Sequence, residues 1–280
     1  MNLPLPWPFD REYMQLALVV GIIVGACAPL VGTFLVDKHL SLMGDGIGHL
    51  AFAGVAGGLL LSISPIWTAL GVAVVGALAV EWLRTRGRTS GDLALALFFY
   101  GGIAGGAVLA SRAATDGITV NVLPYLFGSI LTVTPGDLWM VGAIGAVIIA
   151  SVVFAHRAWF TIGLDDESAR VMGLPVTALN SLLAVLTAVT IVAATRIVGV
   201  LLVAALMVLP VASARIVARS QRQTLLLATV TGVISAVIGL GTARIWGLAP
   251  GGTIVLVSAA IFAVVSVVRG TTHGAPIGHH

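Results

Sequence analysis

The fold class of this chain is decided by residues 176–217, which read VTALNSLLAVLTAVTIVAATRIVGVLLVAALMVLPVASARIV. Arg196 divides this stretch into two apolar runs, 176–194 and 197–217, and the next charged residue is Arg215. A helix needs about 20 mostly apolar residues to cross a hydrocarbon layer of about 30 Å. The stretch therefore predicts two successive membrane-spanning helices.

The rest of the chain has the same character. Hydrophobic residues make up 59% of the 280 residues and charged residues only 9%, whereas about a quarter of the residues of a soluble protein are charged. So few charges cannot cover a surface exposed to water, which argues against a soluble enzyme, a disordered chain and a nucleic-acid-binding protein. We therefore predict an all-α polytopic integral membrane protein. Its nine spans are predicted at 13–36, 46–62, 66–83, 92–111, 136–156, 176–194, 197–217, 223–242 and 252–268.

The basic residues predict the orientation of these spans, because cytoplasmic loops are enriched in Lys and Arg. With nine spans and a cytoplasmic C-terminus, ten of the 14 Lys and Arg residues lie on the inner side. They are Lys38, Arg84, Arg86, Arg88, Arg157, Arg170, Arg215, Arg219, Arg222 and Arg269. The outer side holds Arg11, Arg112, Arg196 and Arg244.

A tenth apolar segment, 118–134, is short and contains Asn121, Pro124 and Gly128. If it crossed the membrane, every preceding span would reverse, and the inner excess of basic residues would fall to eight against six. We therefore predict that it is re-entrant or half-inserted. Non-helical backbone at membrane depth is tolerated where protein or a water-filled cavity covers it.

The predicted organisation is one transmembrane domain, 13–269, between two short ends. The N-terminal segment 1–12 carries Trp7 and Phe9, and aromatic residues are typical of membrane interfaces. The C-terminal segment 270–280 is polar and contains three histidines. A short His-containing tail can bind metal weakly, or its histidines can be incidental.

Asp45 and His49 are the ionisable pair within an apolar run, in SLMGDGIGHLAFAG. Ionisable residues inside a membrane are costly and mark candidate functional sites. Residues four apart share a helix face, and carboxylate with imidazole suits zinc, manganese or iron. In the alternative interpretation Asp45 caps the helix and His49 is a paired interior group. One pair supplies two of about four ligands, so a second copy of the chain could supply the others.

The loop 157–175, RAWFTIGLDDESARVMGLP, is the longest polar stretch within the chain. Its acidic residues could open a short helix, because acids are favoured at a helix N-terminus, and Gly173 and Pro175 would end it. We predict a short cytoplasmic helix near 164–175. It is either a docking element for a cytosolic partner or an ordinary solvated loop.

Several catalytic motifs are absent. No G-x-x-x-x-G-K-[ST] loop occurs, so this chain has no phosphate-binding loop for ATP hydrolysis. No G-x-S-x-G or H-E-x-x-H motif occurs either. Cys27 is the single cysteine, which excludes disulfides and Cys-based zinc sites. The interpretations of this chain as an ATPase or as an intramembrane hydrolase therefore have no motif support.

Four stretches together resemble the permease subunits of ABC importers for zinc, manganese and iron. The first is similar to the family's G-D-x-x-x-H-x-x-x-x-G signature, and the third is similar to its cytoplasmic D-x-x-x-A-x-x-x-G segment. The four are LSLMGDGIGHLAFAGVAGGLL (40–60), YLFGSILTVTPGDL (125–138), LDDESARVMGLP (164–175) and VGVLLVAALMVLPVASAR (198–215). They occur in the order typical of the family.

The resemblance implies a homodimeric permease in the bacterial cytoplasmic (inner) membrane. It implies a separate cytosolic ATPase on each subunit and an external metal-binding protein. It assigns metal handling to Asp45 and His49, and no catalytic cofactor. It implies ATPase coupling by Leu164, Asp165, Asp166, Glu167, Ala169, Arg170 and Gly173.

The transported metal implied by the resemblance is zinc, with manganese or iron as alternatives. The wording H-x-x-x-A-G-V, from His49 to Val55, is similar to the zinc branch of the family. Two other functional classes stay open at this point. A proton-coupled secondary transporter would need more buried carboxylates, and an intramembrane metalloenzyme would need further ligands from one chain.

Overall fold

The computed structural model describes residues 6–85, 91–115, 123–130, 133–195 and 197–272. Within these residues all regular secondary structure is helical. The helices are α1 (Glu12–Asp37), α2 (Met43–Leu60), α3 (Pro65–Thr85), α4 (Gly91–Thr115), α5 (Leu123–Phe127), α6 (Pro135–Leu164), α7 (Asp166–Val171), α8 (Val176–Ala194), α9 (Val200–Val217), α10 (Gln221–Trp246) and α11 (Pro250–Thr272).

The predicted fold class is confirmed, because each predicted span corresponds to one long helix. In the described part of the chain, seven helices are long and apolar enough to cross a membrane. The other two, α2 and α9, have 18 residues each. The largest difference in a boundary is at α6, which continues to Leu164 instead of ending at 156, so His156 lies inside this helix.

Helix α1 lies at the centre of the bundle and contacts α6, α8, α9 and α10. Small residues on α1 allow this crowding, as is usual between transmembrane helices. A Cβ atom on Gly32 would overlap the Met207 carbonyl oxygen of α9, and one on Gly25 would lie 2.8 Å from the Gly232 carbonyl oxygen of α10. The glycines therefore determine how closely α1 is surrounded.

Helix α2 packs on the other side of this centre, against α3, α4 and α9. A Cβ atom on Gly48 would lie 3.1 Å from the Val200 carbonyl oxygen, so α9 begins level with Gly48. Leu60, the last residue of α2, is about 18 Å further along the helix axis at 1.5 Å per residue. Helix α9 therefore begins well below the end of α2.

The short helix α5 lies at the same depth. Gly128, just after α5, and Gly199, just before α9, have φ angles of +75° and +83°. Their backbones interlock, because a Cβ atom on either would overlap carbonyl oxygens of the other segment, at Ile197 and Leu126. This depth agrees with the predicted half-inserted segment near 118–134, of which 116–122 and 131–132 lie outside the described residues.

Candidate metal and ATPase-coupling sites

Asp45 and His49 lie one turn apart near the start of α2, and both side chains are half-buried. The imidazole of His49 contacts the ring of Phe99 on α4, with ring centroids 4.6 Å apart and the planes at 79°. Helix α4 reaches this position because Gly102 has no side chain: a Cβ atom there would lie 2.7 Å from the His49 carbonyl carbon. One edge of the candidate metal pair is therefore bounded by α4.

The other edge is bounded by α9. A Cβ atom on Gly44 would lie 3.1 Å from the Ala204 side chain of α9, and Gly48 meets α9 as described above. Successive residues turn by about 100° around a helix, so Asp45 and His49 point between the α9 side and the α4 side. These glycines do not make the start of the helix irregular, since α2 is α-helical from Met43 onward. The glycines instead allow close packing.

Asp45 is not the residue that caps α2. The N-cap position is Leu42, which makes no capping side-chain hydrogen bond. Within the described part of the chain, no group forms a hydrogen bond or an ion pair with the Asp45 carboxylate. The same residues contain no group of three or more His, Cys, Asp or Glu side chains that could hold a metal ion. The described part of one chain therefore presents an incomplete ligand set.

The predicted cytoplasmic helix is present as α7, which has six residues. Asp165 caps it by accepting hydrogen bonds from the backbone N–H groups of Glu167 and Ser168. The hydrogen bond from the Ser168 hydroxyl is the largest cause of the lowered pKa of Asp165, and the hydrogen bonds from the two N–H groups lower this pKa further. Because this pKa is lowered, the cap is fully present above the ordinary aspartate range and is lost as the pH falls through the lowered pKa. Gly173 ends the turn with a φ of +79°.

The coupling residues implied by the sequence differ in their surroundings. Asp165, Glu167, Arg170 and Gly173 are exposed, whereas Ala169 is fully buried. Asp166 is half-buried and forms an ion pair with Lys38, with 2.9 Å between Oδ1 and Nζ. The structure therefore brings these residues together in one segment, with an exposed side and a side that packs on the bundle.

Three apolar side chains form an exposed surface around α7. Leu164 is 72% exposed, Val171 89% and Met172 71%. This surface, called the α7 patch below, lies on the predicted cytoplasmic side, outside the membrane-spanning helices. Sequence reasoning singled out Leu164 but missed Val171 and Met172. Two large apolar residues within the polar loop 157–175 were the signal that could have identified them.

Two other acidic residues have structural roles. Asp137 and Thr134 form a capping box at the start of α6. Glu81 is buried and pairs with Arg84 one turn later, at 3.0 Å.

Comparisons with known proteins agree with this arrangement. The sequence profile of the ABC 3 transport family matches residues 10–269. The manganese transport system membrane protein MntC of Halalkalibacterium halodurans is 32% identical over 253 residues, covering 90% of this chain and 86% of that protein. The manganese import system permease protein ScaB of Streptococcus gordonii is 29% identical over 255 residues, covering 91% of each.

A solved structure has the same fold. PsaBC from Streptococcus pneumoniae in complex with Fab superposes with a TM-score of 0.80 and 28% sequence identity, covering 91% of each chain. The chain is a multi-pass protein of the bacterial cytoplasmic membrane. It belongs to the ABC 3 transport family, as the membrane permease subunit of an ABC importer for metal ions.

Proposed function

We propose that the metal carried by this permease is Mn²⁺, and that Asp45 and His49 contact it on its path. Carboxylates suit Mn²⁺ and imidazoles suit zinc and iron, so the pair itself is compatible with all three metals. The names of the relatives MntC and ScaB favour manganese. They give no support to the zinc preference inferred from the residues after His49.

The observation that carries this proposal is that, among the residues the structure describes, no group pairs with the Asp45 carboxylate, which lies one turn from His49 on the same side of α2. A structural carboxylate in a membrane protein is usually paired, as Glu81 and Asp137 are here. Two copies related by a two-fold axis would provide two carboxylates and two imidazoles. We therefore propose a homodimer whose two α2 helices face a shared path.

We propose that a separate cytosolic ATPase subunit docks on the α7 patch of each permease chain, and that an external metal-binding protein delivers the ion. Exposed apolar surface outside the membrane is typical of a protein-binding site. The acidic residues Asp165 and Glu167 border the patch and can pair with basic groups of a partner. The permease then supplies the path, and ATP hydrolysis occurs in the partner subunit.

The two other functional classes have less support. A proton-coupled carrier needs further unpartnered carboxylates besides Asp45 to form a relay, but the fully buried carboxylates of the described residues, Glu81 and Asp137, are both held by neighbours. A metalloenzyme needs three or more ligands from one chain, and the described residues contain no such group. Family membership also favours ATP-driven import.

The substitution Asp45→Asn tests the metal role, because Asn keeps the shape and removes the charge. We expect Mn²⁺ uptake by the assembled importer to fall by more than about tenfold, since even outer-shell changes at metal sites cost about 10–100-fold. His156→Ala changes another half-buried membrane histidine and should leave uptake unchanged. Near-normal uptake by Asp45→Asn, with normal membrane insertion, would refute the ligand role.

Competition between metals tests the choice of manganese separately. Uptake of radioactive Mn²⁺ by the wild-type importer is measured with increasing unlabelled Mn²⁺, Zn²⁺ or Fe²⁺. We expect Mn²⁺ itself to compete at the lowest concentration. Stronger competition by Zn²⁺, together with uptake of radioactive zinc, would make zinc the cargo and leave the site assignment intact.

A further inference from the structure

Lys38 is the single lysine of the chain and the first residue after α1. Its side chain is only 5% exposed. The ammonium group donates to Asp166 Oδ1 on α7 at 2.9 Å and to Asn180 Oδ1 on α8 at 3.0 Å. A buried charge is tolerated when it is paired and hydrogen-bonded, so these contacts hold α7 against the inner end of α1.

The opposite side of Lys38 faces the start of α2, the helix that carries Asp45 and His49. A small cavity is lined by Lys38, by Leu40 of the connecting loop and by Met43, the first residue of α2. Glu81 and Arg84 of α3 line the same cavity. Lys38 and the start of α2 therefore share one packed cluster, and Asp45 lies two residues beyond Met43.

The connection from Lys38 to α2 is short and hydrogen-bonded. The Leu40 N–H donates to the Leu35 carbonyl oxygen at 2.8 Å, and the Met43 N–H donates to the Leu40 carbonyl oxygen at 2.9 Å. Leu40 and Met43 are both buried. Because backbone hydrogen bonds fix both ends of this loop, we expect a displacement of Lys38 to move the start of α2 as well.

The preceding residue is fixed to different helices. Asp37 accepts hydrogen bonds from Arg215 at the end of α9 and from Gln221 at the start of α10. At the inner end of α1, Asp37 therefore fixes the helix to α9 and α10, and the adjacent Lys38 connects it to α7 and α8.

We propose that Lys38 transmits movement of α7 to the start of α2, and so to Asp45 and His49. The proposal rests on α7 being the contact for the ATPase. Chains of packed and hydrogen-bonded groups carry coupling between distant sites, and the residues Asp166, Lys38, Leu40 and Met43 form such a chain. Lys38 is thus a positioning residue that contacts neither the metal nor the ATPase.

The substitution Lys38→Met removes the charge and keeps the length of the side chain. The half-exposed Asp166 can then be solvated, so the chain should fold. Lys38→Arg keeps the charge, and Arg222→Met removes an exposed cation from the inner end of α10 as a control. For each assembled importer we measure ATPase co-purification, ATP hydrolysis without metal, and Mn²⁺ uptake.

We expect Lys38→Met to co-purify with the ATPase and hydrolyse ATP like the wild type, but to take up at least tenfold less Mn²⁺. Lys38→Arg should keep most of the uptake, and Arg222→Met all of it. Normal uptake by Lys38→Met would overturn the proposal. Loss of ATPase co-purification would also overturn it, because Lys38 would then only support docking.

A cysteine at position 42 reports the movement directly, since Leu42 is 65% exposed and adjoins α2. In a Cys27→Ala background, its labelling rate should change on addition of a non-hydrolysable ATP analogue. Lys38→Met should abolish this change, which a merely structural role would leave intact, and a persisting change would overturn the proposal. The docking proposal is tested separately: if ATPase binding persists when the residues of the α7 patch are changed, α7 is not the docking element.

Discussion

Gly102 sets how closely α4 approaches the helix that carries Asp45 and His49. A Cβ atom on Gly102 would lie 2.7 Å from both the His49 carbonyl carbon and the Leu50 nitrogen. These are backbone atoms, which cannot move aside as a flexible side chain can. The absence of a single methyl group therefore keeps the Phe99 ring in contact with His49.

Gly102→Ala should therefore destabilise the permease by about 1–3 kcal/mol, the usual cost of overpacking. It should also reduce metal uptake by displacing His49. Gly101→Ala is the matched control, because a Cβ atom on Gly101 meets nothing within 4 Å. Thermal unfolding of the purified variants and uptake assays provide the measurements. Equal behaviour of the two variants would contradict the packing argument.

At the scale of a secondary-structure element, α7 depends on its surroundings. Six residues are too few for a stable isolated helix. Three features hold it: the Asp165 cap, the buried Ala169 and the ion pair of Asp166 with Lys38. Because these contacts occupy one side, the α7 patch is left facing the predicted cytoplasm.

Val171→Asp combined with Met172→Asp should abolish ATPase co-purification, because charges replace the exposed apolar surface without entering the core. Val171→Ile with Met172→Leu is the conservative control and should bind normally. Pull-down of the ATPase by tagged permease measures the effect, and membrane yield checks folding. Undiminished binding by the Asp variant would remove α7 as the docking element.

At the scale of the whole molecule, the Asp45–His49 pair of one chain faces the gap between α4 and α9. The exposed surface around it includes Leu97 and Tyr100, each more than 60% exposed. A two-fold axis along this surface would bring two Asp45–His49 pairs together. A metal site shared between two chains and a metal site within one chain predict different uptake when wild-type and variant chains are mixed.

Mixed importers distinguish these cases. Co-expression of wild-type and Asp45→Asn chains in equal amounts should reduce uptake to about a quarter, because random assortment leaves about a quarter of two-fold dimers entirely wild-type. Independent chains would keep about half of the uptake. Differently tagged chains verify equal expression, and half-maximal uptake would argue against a shared metal site.

The predicted orientation gives a second test at this scale. Single cysteines at positions 114 and 135, on either side of the segment containing α5, should both react with a membrane-impermeant reagent from outside. The cysteine at position 219, after α9, should react only after permeabilisation. Cys27 is replaced in all three. Labelling of 114 and 135 from opposite faces would mean that the intervening segment crosses the membrane.

Sequence by itself determined the number and approximate ends of the long helices, because a bilayer requires each span to be apolar and to satisfy its own backbone hydrogen bonds. It also identified Asp45 with His49 and the turn around α7, since i to i+4 spacing, an acidic cap and a terminal glycine are local features. The extension of α6 to Leu164 was missed because Arg157 interrupts the apolar run and predicts the end of the span at that point.

Only the tertiary structure decided which side of each helix meets which neighbour. The contact of His49 with Phe99, the ion pair of Lys38 with Asp166 across 128 residues, and the interlocked Gly128 and Gly199 join distant parts of the chain. In a membrane, an apolar helix surface is as stable against lipid as against protein, so hydropathy does not indicate which helices are neighbours. Close packing at small residues and a few buried polar pairs determine which helices contact each other.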